Sequence, residues 1–200
     1  VSHHPLLFKG LKQITGATSA ERIVAKAIRH GLAIYSAHTN LDSAFEGVSY
    51  EMAHALSMKN ISPLIPTAPG ASTGLGIIGE MQKPVPAQEF LRMLKHEFSV
   101  KSLRYSIQSP KIVIRKVALC GGSGASFITD AINADADAYV CGDIKYHDFD
   151  SYGPDILLAD IGHYESEVAS KKILARIIKE KFPNFVVYFA ETENNPVGAL

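Results

Sequence analysis

Cysteine is scarce in these 200 residues, neither charge outweighs the other, and long apolar runs are missing. Each shortage excludes something. Cys120 and Cys141 are too few for a disulfide framework and neither stands in a CxxC, so both read as reduced core thiols of a cytosolic protein. Lys+Arg and Asp+Glu number 20 each, which removes the net field that would draw nucleic acid or an anionic membrane surface. Aromatic residues make up only 8%, which leaves nucleic-acid binding with little to stand on. No stretch approaches the roughly 20 apolar residues of a membrane span, and no signal-peptide pattern opens the chain. The expectation is a cytoplasmic protein with neither membrane nor nucleic acid as partner. An initiator Met is lacking too. The chain opens Val1-Ser-His-His-Pro and reads as the inside of a longer protein, or as ordered segments joined together.

What is present is a sizeable apolar fraction, 46%, enough for one domain or two small ones. "ERIVAKAIRHG" (21–31) has helical spacing and ends on Gly31 in cap position. "LAIYSAH" (32–38) reads as a buried strand and "SYEMAHALSM" (49–58) as a helix. Residues 60–85 are rich in Pro, Gly, Ser and Thr and read as turns, with room for a removed or disordered piece. Pro86 then precedes a helix over 87–98. The second half alternates: strand 111–120, helix 126–134, strands 138–143 and 155–160, a long helix 165–182 and a closing strand "FVVYFA" (185–190). Alternation of this kind predicts α/β layers with a mixed, largely parallel sheet. "AIYSAHTNLD" and "LLADIGHYESE" echo each other as apolar strand, His, acid, helix. If the echo is a duplication, two related α/β half-domains face each other, with chemistry in the crevice at the strand carboxyl ends. The expected division is 1–60 for the remainder of a first half-domain, 61–110 for a connecting region and 111–200 for a second half-domain.

Three segments bring metal-competent side chains to strand ends: His3-His4, Asp42 with His38 four residues before it, and His163 with Glu167. His163 and Glu167 are one helical turn apart and share a face. Adjacent histidines on an extended chain diverge, and Pro5 biases His4 toward extension. Three imidazoles and two carboxylates exceed the four ligands of a closed zinc site and suit two ions sharing a carboxylate. The donor types admit Zn, Mn, Fe, Co or Ni. Read singly, each of these residues also fits a plain structural histidine or a helix cap.

"SHHPLLF", "AHTNLD", "GDIKYHDF" and "DIGHYESE" resemble, in order, the signature segments of the Nif-three-like family, whose members are often named GTP cyclohydrolase I type 2 homologues. The likeness spreads over nearly all of the chain. It implies a dinuclear centre of two divalent ions held by His3, His4, Asp42, His163 and Glu167. It also implies two similar α/β domains and a toroidal homohexamer with the metal sites facing an inner cavity. Against that pattern, about half a domain before the His-His-Pro is absent, as is the domain some members carry near residues 60–75.

His38 and His147 are candidates to move protons or to support ligands, with a structural role as the alternative for each. Lys145 and Tyr146 could meet an anionic substrate, while His30, His54 and His96 read as packing or surface residues. Glu165 suits the helix dipole. "GLGIIG" (74–79) satisfies a dinucleotide-loop pattern but lacks the strand-turn-helix context. "CGGSG" (120–124) reads as close backbone packing at a turn, with an anion subsite as the alternative. Two functions follow: a metal-dependent hydrolase of a nucleotide or phosphoester, or a non-catalytic metal-binding protein that regulates through partners.

Overall fold

The computed structural model describes residues 1–110, 112–192 and 194–198. The chain forms two compact units, Val1–Leu41 and Asp42–Leu200.

In the first unit, helix α1 spans Ser19–Arg29. It starts where Thr18 and Glu21 cap one another. The Thr18 hydroxyl accepts the Glu21 amide at 3.2 Å and donates to Glu21 Oε1 at 3.1 Å. Glu21 Oε2 also accepts from the Thr15 amide and hydroxyl and from the Ala17 amide. These donors, the Thr15 hydroxyl foremost, hold the Glu21 carboxyl down at about 2. The far end stops as expected at Gly31, whose φ of 62° lets Leu32 N–H reach back to Ala27 O at 2.9 Å. The strand expected over 32–38 is reduced to one parallel bridge, Ser2 to Ser36, and Leu32, Ile34 and Tyr35 are exposed. Its only ladder partner among the described residues is the short N-terminal segment, too brief to sustain a strand. A short helix, α2 (Thr39–Asp42), follows.

The second unit is built on one six-stranded mixed sheet. Its strands are β1 (Lys59–Pro66), β2 (Gly74–Pro86), β3 (Arg104–Tyr105), β4 (Val113–Ser123), β5 (Ala138–Gly142) and β6 (Leu157–Asp160), in the order β1-β2-β4-β5-β6-β3. The parallel ladders are β4–β5 and β5–β6, and the flanking pairs run antiparallel. The α/β fold and the mixed sheet are as expected from the alternation, but the sheet is parallel only at its centre, since three of its five ladders among the described residues are antiparallel.

Residues 60–85 depart from expectation. The turn-rich reading gives way to the β1–β2 hairpin, and "GLGIIG" lies inside β2. Pro63 and Pro66 speak against a strand, yet they sit on an edge strand, where proline is tolerated. The two-residue strand β3 was also unforeseen. Of the strand expected over 111–120, Lys111 lies outside the described residues, Ile112 is not in a strand, and β4 starts at Val113 and runs on to Ser123. The strand expected over 185–190 forms no ladder among the described residues; Phe185, Val186, Tyr188 and Phe189 are exposed.

Helices cover both faces of the sheet. On one face α4 (Ala87–Glu97) inserts Phe90, Leu91 and Leu94 among Ile77, Ile114, Val117, Leu119, Val140 and Leu157, together with α3 (Val48–Ala55). On the other, α5 (Ile128–Asn133) brings Ile128 and Ala131 against Ala118, Cys120, Tyr139, Cys141 and Leu158. Successive residues of β4 thus alternate between two apolar layers, so central strands buried on both sides read as unbroken apolar runs. Helix α6 (Tyr146–Tyr152) follows β5. The long helix expected over 165–182 is two, α7 (His163–Glu167) and α8 (Ser170–Lys181), with Val168 and Ala169 between them keeping right-handed dihedrals. No described helix is long and apolar enough to cross a membrane.

Because β4, β5 and β6 are parallel, their carboxyl ends open at one end of the sheet, and the turns 120–125, 142–146 and 160–163 meet there. Asp160 ties them together. Its carboxylate, 4% exposed, pairs with Arg104 and accepts the amides of Ile144 at 3.0 Å and Gly162 at 2.9 Å. Arg104 donates also to Ile144 O at 3.0 Å.

Two outcomes are expected. Asp160→Ala should lower unfolding free energy in a urea titration by about 3 kcal/mol, the low end for breaking a buried pair, since Arg104 is partly solvated. Glu21, whose folded pKa is depressed, stabilises α1 above its ordinary value near 4.5 and loses that contribution as pH falls toward about 2. Acid protection of the α1 amides in hydrogen exchange should therefore weaken in that window and become flat in Glu21→Gln.

Candidate metal centre

In the second unit the candidate site begins at the turn after β6. Gly162 passes through φ 92°, and the next residue opens α7, which carries His163 and Glu167 one turn apart. His163 Nε2 lies 3.1 Å from Glu167 Oε2. Two donor atoms bound about 2.1 Å from one ion, at angles of about 90–110°, are about 3.0–3.4 Å apart. The pair makes an ordinary hydrogen bond at a separation that two ligands of a single cation could also keep. On the other edge of the imidazole, Nδ1 meets Asp143 Oδ2 at 2.6 Å. The hydrogen bond to Glu167, reinforced by Asp143 and opposed by partial burial, pushes the His163 pKa up to about 9. This corner stabilises positive charge.

What lets α7 sit so low is the absence of side chains beneath it. Gly122, at φ 66°, faces Glu167: a Cβ there would collide with Glu167 Oε1 and lie 3.4 Å from His163 Cε1. A Cβ on Gly142 would come within 2.8 Å of the His163 backbone. The amides of Gly121 and Gly122 are taken by the Ser49 and Ser166 hydroxyls, at 3.2 and 2.8 Å. Those donors serve backbone packing, the preferred reading of "CGGSG", and not an anion. Ser166 in turn donates to His163 O at 2.8 Å.

Asp42, half-buried at the end of α2, belongs to the same electrostatic neighbourhood as Glu167. Burial pushes the Cys120 thiol up to about 12, and the negative charges of Asp42 and Glu167 add to the effect. Burial raises the Cys141 thiol as well. Both cysteines are free and buried, as expected of reduced core thiols.

In the first unit His3, His4 and His38 form a triangle of imidazoles, with ring centroids 5.0, 5.7 and 5.6 Å apart in edge-to-face contact. His38 has φ 41° and donates its amide to His3 O at 2.9 Å. Residues 3 and 4 lie in a bend, so the expected divergence of adjacent histidines on an extended chain does not occur. His147 stands on α6, exposed, with its ring 5.3 Å from Tyr146.

The chain matches the family described as Duf34/NIF3 (NGG1p interacting factor 3) over residues 1–196. It belongs to the Duf34/NIF3 family. Among its relatives, a protein of Streptococcus pneumoniae named GTP cyclohydrolase 1 type 2 homolog is 35% identical, the match covering 90% of this chain and 68% of the relative. One of the same name from a Nostoc species is 33% identical over 83% of this chain and 63% of its own length. The chain thus spans less than two thirds of that Duf34/NIF3 relative. Among solved structures, Staphylococcus aureus protein SA1388 aligns over 99% of this chain and 78% of its own, with TM-score 0.84 and 26% identity. A Bacillus cereus protein related to NIF3 shares the fold, with TM-score 0.85 at 23% identity, covering 99% of this chain and 82% of that one.

Within this Duf34/NIF3 chain each unit carries donors for cations: three imidazoles in the first, an imidazole and carboxylates in the second. These donor types fit divalent first-row ions. Asp143 is the residue that the sequence reading passed over. The signal available was its place directly after the apolar run "AYVCG", at a strand carboxyl end.

Gly122→Ala is expected to cost about 1–3 kcal/mol from left-handed strain alone and more from displacing Glu167. Gly10→Ala, where a Cβ meets nothing within 4 Å, should be near neutral in the same denaturation experiment.

Proposed function

We propose that the chain is the metal-binding part of a dinuclear, metal-dependent hydrolase acting on a nucleotide or another phosphoester. The observation that carries this reading is the His163–Glu167 pair, set at the spacing of two ligands to one ion with a carboxylate behind the imidazole. His3, His4, Asp42, His163 and Glu167 are the proposed ligands of two divalent ions, of the Zn, Mn, Fe, Co or Ni type. Such ions supply Lewis acidity toward a phosphoryl or carbonyl-like group at neutral pH. The residues around them have separable work. Asp42 and Glu167 hold negative charge where two cations have to be neutralised. His38, packed on the rings of His3 and His4, is suited to accept a proton from an attacking water and to pass it outward. His147, exposed beside Tyr146, is suited to deliver a proton to a leaving group. The reading takes in a homo-oligomer, a hexamer by family likeness, with a small-molecule substrate and a cytoplasmic location.

The relatives named GTP cyclohydrolase 1 type 2 homolog give a purine nucleotide as the first substrate class to try. A second reading rests on the family description, which names an interacting factor: a metal-binding protein that regulates through a protein partner without turnover.

Protein purified without added metal should carry divalent ions on elemental analysis, near two per chain, and Asp42→Ala and Glu167→Ala should each lower that content. Turnover of nucleotides or aryl phosphates should fall at least a hundredfold in both variants. Full metal content with no turnover across such a panel would favour the regulatory reading; a metal-free wild type would end both.

A further inference from the structure

Asp143 occupies a backbone position that its surroundings impose. Its φ is 58°, a left-handed conformation that residues other than Gly, Asn and Asp rarely adopt. The residues on either side are fixed. Gly142 lies beneath the His163 backbone at a distance no Cβ would allow, and the Ile144 amide is held by the buried Asp160 carboxylate at 3.0 Å. Between these two clamps the chain must turn sharply, and the turn aims the Asp143 carboxylate at the His163 ring, 2.6 Å from Nδ1. The side chain is 51% exposed, so it contributes little to the core. A strained turn that presents an exposed side chain to one imidazole nitrogen has its purpose in that nitrogen.

We propose that Asp143 is a positioning residue of the metal centre: it accepts the Nδ1 proton of His163, fixes ring and tautomer, and leaves Nε2 turned toward Glu167 as the ligand atom. The inference rests on the metal-binding reading above and assigns this residue within it. Imidazole presents one nitrogen as donor and the other as acceptor, and the partner of the first decides which lone pair is available to a cation. A carboxylate partner also raises the basicity of the ligand nitrogen, and losing such a partner costs tenfold to a hundredfold in metal affinity. The clamped turn explains how a surface carboxylate keeps that geometry without burial: the backbone, and not the side chain's neighbours, restricts it.

The test compares Zn2+ affinity of wild type, Asp143→Gly and Asp143→Asn by competition with a chromophoric chelator, alongside thermal unfolding of the metal-free proteins; both replacements tolerate the left-handed turn. Asp143→Gly should bind Zn2+ tenfold to a hundredfold more weakly with a metal-free Tm close to that of wild type. Asp143→Asn, which keeps an acceptor oxygen but no charge, should recover part of the loss. In the Zn-loaded wild type, nitrogen NMR shifts should show His163 protonated at Nδ1, and Asp143→Gly should lose that single form. Equal affinity of wild type and Asp143→Gly overturns the assignment. So does a lowered metal-free Tm in Asp143→Gly with no recovery in Asp143→Asn, which would make the residue structural. A wild type that binds no Zn2+, Co2+ or Mn2+ removes the metal-binding reading itself, and this inference with it.

Discussion

The architecture of the larger unit depends on a close approach. The backbone of α7 lies against the carboxyl ends of β4 and β5, and hydrogen atoms are all that fit between them at Gly122 and Gly142. The hydrophobic sheet below makes this possible in a second way. Its two apolar layers, with Phe90, Leu94 and Leu119 in one and Ile128, Tyr139 and Leu158 in the other, hold the strand ends level and leave them little freedom. A stiff platform with notches for one helix start is what allows an imidazole and a carboxylate to keep a separation of 3.1 Å.

Electrostatics at this end of the sheet is arranged in two tiers. The lower tier is structural: Asp160, buried, is satisfied by Arg104 and two amides and holds together turns that are distant in sequence. The upper tier carries the donors, with Asp143 and Glu167 on opposite edges of His163. In the upper tier His163, its pKa pushed up to about 9 by Glu167 and Asp143, supplies the positive charge between the carboxylates, as Arg104 does for Asp160 below.

Much of this was legible in the residues. Helices α1, α3 and α4 and the central strands follow from apolar periodicity, and Gly31 marked the end of α1 through the left-handed cap it makes. The His163–Glu167 face follows from helical geometry alone. Other features were hidden for physical reasons. Pro63 and Pro66 argued against a strand because propensity is blind to which side of a sheet a residue will occupy. "LAIYSAH" and "FVVYFA" have strand composition, yet a strand needs a ladder partner, and sequence composition says nothing of who supplies it. The bend at His3-His4 was missed because extension was assumed ahead of Pro5, while the short Ser2–Ser36 contact fixes the local path differently. Asp143 was passed over because one acid after an apolar run resembles a solvated loop residue; only the positions of Gly142 and Ile144 reveal its constraint.

The margins of the sheet carry a consequence for strand addition. At one border, β1 has two prolines among its eight residues, a composition that discourages strand docking. At the opposite border β3 offers only Arg104 and Tyr105, and Arg104 is already committed to Asp160. Neither rim is a ready template for an added strand, so growth by sheet extension is disfavoured at both borders.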